Sequence, residues 1–260
     1  MIRYLSYEDL RLRHIEGDPL ISTMIEAAAR QCGMGLLYDF WAVFSSRRSR
    51  TPQGFILRKG HAIWATVCTP EAAPEMIDFL RFHQTGWMEL DPTLAALWGN
   101  EGETLCVLRL PKEAPLPPCS LPLRENCATA VADCNLAAGA LRPEQYEAAV
   151  VALHLAQRRR VGYTVSLWEE GRAVSAAAIT DRGHRAGQIS YVATLPSHEG
   201  KGYGRAMVYR CAAELRAAGL LPLVACEADR RSFYEELGFR FLSTTHLFAE
   251  PDPFDTGVDP

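Results

Sequence analysis

Several features are absent from this 260-residue sequence, and each absence narrows the class of protein. No run of 18 apolar residues occurs, and the first residues lack the apolar region of a signal peptide. The sequence therefore predicts neither a membrane span nor export. The formal net charge of −4 gives no basis for nucleic-acid binding as the main task. We expect a cytoplasmic protein with no nucleic-acid partner and no membrane partner.

Metal and disulfide signals are also absent. The eight cysteines include no Cys-x-x-Cys pair, and the seven histidines include no His-x-x-x-His pair. Spacings of those kinds are the usual signs of zinc sites and of redox motifs. The cysteines lie mostly in apolar segments, as reduced thiols do in a reducing compartment. We predict no metal site and no disulfide.

A proline-rich segment divides the chain. Residues 110–122 contain five prolines in thirteen positions. Proline removes a backbone donor, so this segment cannot continue a helix or lie inside a sheet, and it is typical of a stiff connector. Because 260 residues exceed one domain of ordinary size, we predict an N-terminal α+β domain at 1–110, a linker at 111–122, a second domain at 123–250 and a tail at 251–260.

A glycine-rich turn in the second half is the strongest sign of ligand binding. An apolar, β-branched run at 189–195 ends at Pro196, and Gly200-Lys201-Gly202-Tyr203-Gly204-Arg205 then leads into a helical pattern. Glycines allow close approach of the backbone, and amides at a helix N-terminus attract anions. The turn therefore predicts a phosphorylated ligand. Its spacing fits neither a Walker loop nor a Rossmann fingerprint.

The stretch resembles motif A of the GNAT acyltransferases, the Gcn5-related N-acetyltransferase superfamily. Gly202 and Gly204 occupy the glycine positions of that motif, and Glu199 stands where Arg or Gln is usual. The resemblance implies that this loop holds the pyrophosphate of acetyl-CoA as co-substrate, with positive charge from Lys201 and Arg205. The implied cofactor-binding residues are Val192, Ala193, Thr194, Glu199, Gly200, Lys201, Gly202, Tyr203, Gly204 and Arg205.

A second signature lies about thirty residues downstream. The run 232–240, Ser-Phe-Tyr-Glu-Glu-Leu-Gly-Phe-Arg, resembles a GNAT pattern in which a helix carrying a tyrosine ends at a glycine. The resemblance implies that Tyr234 lies near the sulfur of CoA and protonates the departing thiolate. On its own, Tyr234 could equally be an aromatic that packs its helix on the sheet. Gly238 is expected to end the helix in a left-handed conformation.

The order of predicted elements indicates the fold. The second half is predicted to contain a helix, a hairpin, a strand, the loop, a helix, a strand, a helix and a final strand, which resembles the GNAT order. We expect an α/β mixed sheet (α+β) with the GNAT acyl-CoA N-acyltransferase fold, splayed near 189–195. The first half has a similar order, but prolines and Glu71 replace the glycine loop at 69–74. It is either a degenerate GNAT-like repeat or an unrelated α+β domain.

The resemblance implies an N-acetyltransferase that moves an acetyl group to an amine of a small molecule or peptide by direct attack. A non-catalytic acyl-CoA sensor or scaffold module is the alternative. No carboxylate occurs on the strand at 188–194, and Glu227 is either a base acting through water or an exposed charge. The loop at 181–187 is expected to form part of the acceptor wall. The sequence leaves a homodimer open.

Overall fold

The computed structural model describes residues 1–6, 10, 14–31, 38–83, 86–99 and 102–249. Within these ranges, twelve strands form one continuous sheet. Two pairs of neighbouring strands run parallel and the other pairs run antiparallel. The predicted mixed α/β sheet is confirmed.

The first half supplies six strands and three of the described helices. The order is β1 (Ile2–Leu5), α1 (Pro19–Gln31), β2 (Tyr38–Phe44), β3 (Pro52–Lys59), β4 (Ala62–Val67), α2 (Ala73–His83), β5 (Met88–Leu90), α3 (Pro92–Trp98) and β6 (Glu103–Arg109). Asp18 caps α1, because its Oδ1 accepts the N–H groups of Leu20 and Ile21. Gly99 ends α3 with a φ of 85°.

The second half follows the connector. Its elements are β7 (Leu123–Glu125), α4 (Ala128–Ala137), α5 (Tyr146–Arg158), β8 (Tyr163–Glu169), β9 (Arg172–Arg182), β10 (Ala186–Thr194), α6 (Tyr203–Ala217), β11 (Leu221–Cys226), α7 (Arg231–Glu236) and β12 (Arg240–Phe248). Gly219 and Gly238 follow α6 and α7 with φ values of 74° and 88°. Both are therefore the left-handed residues that commonly end a helix.

The strand order has an internal symmetry. It runs β1-β2-β3-β4-β5-β12-β6-β11-β10-β9-β8-β7, so the strands of the two halves occur in matching order from opposite edges. In each half a parallel pair, β4–β5 or β10–β11, is joined through a helix. This arrangement favours a repeat over an unrelated domain for the first half.

The last strand of each half is exchanged. Strand β6 of the first half pairs with β11 of the second, and β12 of the second half pairs with β5 of the first. The two exchanged strands also pair with each other from Arg240–Arg109 to Leu247–Glu103. Strands from before and after the predicted boundary at 110/111 are therefore hydrogen-bonded to each other in one sheet. The division of the chain into two domains at this boundary stays a prediction.

The connector is packed rather than free. Arg216 of α6 donates to the carbonyl oxygen of Ala114 at 2.7 Å and to that of Pro111. The side chains of Ala114, Leu116 and Leu121 pack against the larger core, which lies between the second-half strands and their helices. The segment from 111 to 122 thus contains no helix and no strand, as its prolines predict, yet it lies against α6.

Candidate active site

A gap opens between the two parallel strands of the second half. Strands β10 and β11 pair only from Ala186–Leu221 to Ile189–Val224, although β10 continues to Thr194 and β11 to Cys226. Beyond Ile189 the two strands have no backbone pairing in the described structure. The predicted splay is therefore present, and it begins one residue after the start of the expected range.

A bulge in β10 lies where the gap begins. Its register with β9 shifts between Ser190 and Ala193, and Tyr191 adopts a φ of 53°. A positive φ is strained for a residue with a side chain. Asn135 of α4 holds the bulge, because its buried amide nitrogen donates to the carbonyl oxygen of Tyr191 at 2.9 Å. Sequence reasoning missed both residues, since neither residue type signals a bulge.

The alternation of a strand decides which backbone groups face the gap. The N–H of Leu195 donates to Val174 of β9, and the carbonyl oxygen of Ala193 accepts the Ser175 hydroxyl. Backbone groups of successive strand residues point to opposite sides. Those of Val192 and Thr194 therefore point away from β9, toward the gap, while those of Ala193 are directed to β9.

The glycine loop presents free amides to the same region. Gly200 and Gly202 have φ values of 74° and 77°, and Gly202 is the residue immediately before α6. Within the described part of the chain, none of the backbone N–H groups of 200–205 donates to a backbone acceptor. These groups and the start of a fifteen-residue helix form a concentration of unpaired donors, which attracts anions.

Gly204 has a different physical role from the two glycines before it. It lies inside α6, and a Cβ there would come within 3.2 Å of Thr194 Oγ1 and 3.8 Å of Phe233. A Cβ at Gly200 or Gly202 would meet no atom within 4 Å. Gly200 and Gly202 thus allow the positive φ values that the loop requires, and Gly204 allows α6 to pack closely on β10 and α7.

Charged residues of the loop lie at its surface. Lys201 and Arg205 are exposed, and Lys201 Nζ lies 5.7 Å from the centre of the Tyr203 ring. Glu199 is exposed as well, and its N–H donates to the carbonyl oxygen of Pro196 at 3.4 Å. The Glu199 amide is therefore turned into the preceding turn.

A cavity of about 260 Å³ adjoins the loop. One wall is the connector at 117–121, and the other contains Gly202, Arg205, Ala206 and Tyr209. The connector therefore lies directly beside the glycine loop, and Arg205 contributes a positive charge to the cavity wall.

Tyr234 lies in α7 with only 8% of its surface exposed. Its ring makes edge contacts with Phe233 and Phe239 at centroid distances of 5.0 and 5.7 Å. Burial raises the pKa of its hydroxyl, and the nearby Cys226 thiol at the end of β11 acts in the same direction. The phenol is consequently protonated at neutral pH, which is the state that a proton donor requires.

Carboxylates near the gap differ in exposure. Glu227 is exposed directly after β11. Asp181 lies on β9 opposite Gln188, because β9 extends to Arg182 and the predicted loop is shorter than 181–187. Burial raises the pKa of Asp181 to about 6, while Lys59 of the first half opposes this shift. Burial raises the pKa of Tyr191 at the bulge, and the charge of Asp181 acts in the same direction.

The equivalent place in the first half is closed. Strands β4 and β5 pair from Ile63–Met88 to Ala65–Leu90, and the N–H of Val67 then donates to Asp91 Oδ2 at 2.6 Å. The other oxygen, Oδ1, accepts the N–H groups of Thr93 and Leu94. The next amides, of Cys68 and Thr69, donate to the carbonyl oxygen of Gln53. This half offers no comparable set of free amides after β4 within its described residues.

Sequence comparison decides the family of the second half. Residues 131–239 match the family model described as the acetyltransferase (GNAT) family. This part of the chain is a GNAT acetyltransferase domain. The predicted GNAT-type acyltransferase is confirmed at that level, and the GNAT domain contains the gap, the loop and Tyr234. Among curated proteins, no sequence matches the chain.

Solved structures extend the likeness to the first half. A Drosophila protein is similar with a TM-score of 0.65 and 13% identity, over 96% of this chain and 98% of that one. A GCN5-related N-acetyltransferase from Kribbella flavida gives 0.60 and 17%, over 92% and 96%. A tandem GNAT protein from the clavulanic acid biosynthesis pathway gives 0.57 and 13%, over 97% and 100%. At these identities the likeness concerns the fold, and it spans both halves.

Two further observations concern the described residues. No group of three His, Cys, Asp or Glu side chains there could hold a metal ion. None of the helices assigned above has both the length and the apolar character needed to cross a bilayer.

Proposed function

We propose that this chain is an acetyl-CoA-dependent N-acetyltransferase whose GNAT domain carries the reaction. The observation that carries the proposal is the set of unpaired backbone amides at 200–205, which lies at the start of α6 beside the gap between β10 and β11. Pyrophosphate suits such donors, because it offers several charged acceptors at once. Lys201 and Arg205 add positive charge at the same place.

The remaining cofactor residues have assigned tasks in this proposal. The backbone groups of Val192 and Thr194 pair with the amides of the pantetheine arm along β10. Ala193 and Thr194 hold β10 on β9 through Ser175. Glu199, Gly200, Gly202 and Tyr203 shape the loop, and Gly204 lets α6 approach β10.

The chemistry requires an activated acyl group, which acetyl-CoA supplies as a thioester. An amine attacks the carbonyl carbon, the N–C bond forms, and the C–S bond breaks. The backbone N–H of Val192, the residue after Tyr191, donates to the thioester carbonyl oxygen as negative charge develops on that oxygen. Tyr234 gives its hydroxyl proton to the departing sulfur as the C–S bond breaks.

The acceptor is an amine of a small molecule or peptide. Asp181 supports a basic acceptor, because a half-buried carboxylate with a pKa of about 6 can receive a proton near neutral pH. It lies on β9, the strand that neighbours β10, opposite Gln188. We propose Asp181, rather than the exposed Glu227, as the group that takes the proton of the amine through water.

A non-catalytic acyl-CoA sensor is the second candidate. Glu199 favours it, because an exposed carboxylate in the loop weakens the attraction for a pyrophosphate. Tyr234 favours the enzyme, because a sensor has no need of a proton donor beside the sulfur.

The experiment separates the two candidates in two steps. Calorimetry first measures binding of acetyl-CoA to the full chain and to Gly202→Asp as a loop-defective control. Thiol release is then followed over a panel of amines and peptides. Release that depends on an amine supports the transferase, and binding without release on any acceptor supports the sensor. Equal affinity of wild type and Gly202→Asp would remove the loop from the proposal.

A further inference from the structure

One carboxylate holds both ends of the glycine loop. Glu169, at the end of β8, accepts the Tyr203 hydroxyl on Oε1 at 2.6 Å. Its Oε2 lies 3.1 Å from His198 Nε2. His198 precedes the loop, and Tyr203 is the first residue of α6. The segment between them is Glu199-Gly200-Lys201-Gly202, so a single side chain spans the base of the loop.

The contacts extend to the turn before the loop. Ser197 Oγ lies 2.8 Å from His198 Nδ1, so both ring nitrogens of His198 have partners. The rings of His198 and Tyr203 lie 6.4 Å apart with planes inclined by 30°. The His198 side chain is only 12% exposed although the turn lies at the surface. Side chains outside the glycines thus form a connected polar group beneath the loop.

A loop of this composition needs such support. Gly200 and Gly202 both adopt positive φ, and glycine loses more backbone freedom on ordering than any other residue. A Cβ at either position would touch nothing within 4 Å, so the glycines are not held by packing. Order in the loop must therefore come from its ends.

We propose that Glu169 is a positioning residue for the phosphate-binding loop and acts through His198 and Tyr203. This inference rests on the proposed function for its consequence in catalysis, since Glu169 contacts His198 and Tyr203 and acts through them. Preorganised donors bind more tightly because less conformational entropy is lost on binding. Loss of Glu169 should therefore weaken acyl-CoA binding and leave the chemical step nearly unchanged.

The electrostatics agree with this role. The hydrogen bond from Tyr203 lowers the pKa of the Glu169 carboxyl, and Lys201 and His198 act in the same direction. The carboxylate is thus ionised at neutral pH, with both oxygens engaged.

The matched control is Glu125 of β7. It accepts two hydrogen bonds from Arg210 of the same helix, α6, and its side chain is 40% exposed against 36% for Glu169. Glu125 therefore contacts α6 with similar exposure, but beyond the first turn. Glu169→Ala and Glu125→Ala remove equivalent groups, and only the first should disturb the loop.

The first measurement needs no ligand. Hydrogen exchange of the full chain reports the amides of His198 and Ala206, which donate to the carbonyl oxygens of Leu195 and Gly202. We expect these amides to exchange about tenfold faster in Glu169→Ala and at the wild-type rate in Glu125→Ala. Unchanged exchange in Glu169→Ala, with the variant folded, would overturn the proposal.

The second measurement uses acetyl-CoA. The KM for acetyl-CoA should rise about tenfold in Glu169→Ala while kcat stays within about twofold, and Glu169→Gln, which keeps an acceptor for Tyr203, should recover part of the loss. Tyr203→Phe should add little to Glu169→Ala if both act through one contact. A tenfold fall in kcat with an unchanged KM for acetyl-CoA would refute a positioning role. If wild type binds no acetyl-CoA, the proposed function fails, and the exchange result alone decides the role of Glu169.

Discussion

Glu89 offers a sharp test of how the two halves are joined. It lies on β5 with 5% of its surface exposed. Trp64 of β4 donates its ring N–H to Oε2 at 3.0 Å, and Thr245 of β12 donates its hydroxyl to Oε1 at 3.1 Å. Because β12 comes from the second half, this carboxyl belongs to the junction of the exchanged strands.

The pKa of Glu89 is raised from 4.5 to about 7, chiefly by burial, and the negative charges of Asp18 and Asp181 act in the same direction. The hydrogen bonds from Thr245 and Trp64 oppose the shift without cancelling it. A carboxyl with a raised pKa binds its proton more tightly in the folded state. Its contribution to stability is therefore present below pH 4.5 and is lost as the pH rises through about 7.

The size of this loss follows from linkage. With a pKa of 4.5 in the unfolded chain and about 7 in the folded one, the free energy of unfolding falls by about 2.5 kcal/mol between pH 5 and pH 8. Glu89→Gln imitates the neutral acid, because the glutamine amide carries no charge and its nitrogen can donate to the Thr245 hydroxyl oxygen. The Thr245 hydroxyl can then donate its own proton to the carbonyl oxygen of Leu90 at 3.3 Å. The variant should therefore lack this part of the pH dependence.

Urea unfolding of the full chain at pH 5 and pH 8 measures the effect. We expect the stability of wild type relative to Glu89→Gln to fall by about 2–3 kcal/mol between the two pH values. Glu71→Gln, at an exposed position, is the control and should track wild type. Groups with shifted pKa values that do not interact with Glu89 act equally in both proteins and cancel. Parallel pH profiles for wild type and Glu89→Gln would refute the reasoning.

Three further predictions concern the gap, the loop and the closed site. Gly202→Asp should abolish acetyl-CoA binding in calorimetry while lowering stability by only about 1 kcal/mol, because the position is left-handed yet uncrowded; retained affinity would make the loop a plain turn. Tyr234→Phe should lower kcat about 10²-fold with KM for acetyl-CoA within twofold; a twofold change in both would make Tyr234 a packing residue. Asp91→Ala should cost about 2–4 kcal/mol in urea unfolding, because it leaves the Val67 amide and the α3 cap without acceptors; a loss below about 0.5 kcal/mol would contradict that accounting.

Local patterns in the sequence predict the elements around the loop closely. The helical pattern after the glycine run is the helix Tyr203–Ala217, and Gly219 follows it in the left-handed conformation. Proline, glycine and apolar periodicity are properties of neighbouring residues, so they fix where a helix begins and ends without reference to the rest of the chain.

The exchange of β6 and β12 has no such local signal. β6 has seven residues and β12 has nine, and each could pair with any neighbour of matching alternation. Their partners are chosen by the packing of the whole sheet, which brings residues 103–109 between two strands that lie more than a hundred positions later. The same applies to Tyr191, whose positive φ is imposed by the register of β10 on β9 and by Asn135.

The exchange also changes how the role of each half must be tested. A fragment that ends at residue 110 would contain β6 without either of its neighbours, because β11 and β12 both come from the second half. A fragment that begins after the connector would leave β12 without β5 and β11 without β6. Each would expose sheet edges that the full chain covers, and exposed edges favour aggregation. Failure of an isolated half to bind CoA would therefore report lost folding. Substitutions in the full chain, at Gly202 for the open site and at Asp91 for the closed one, distinguish the halves without that ambiguity.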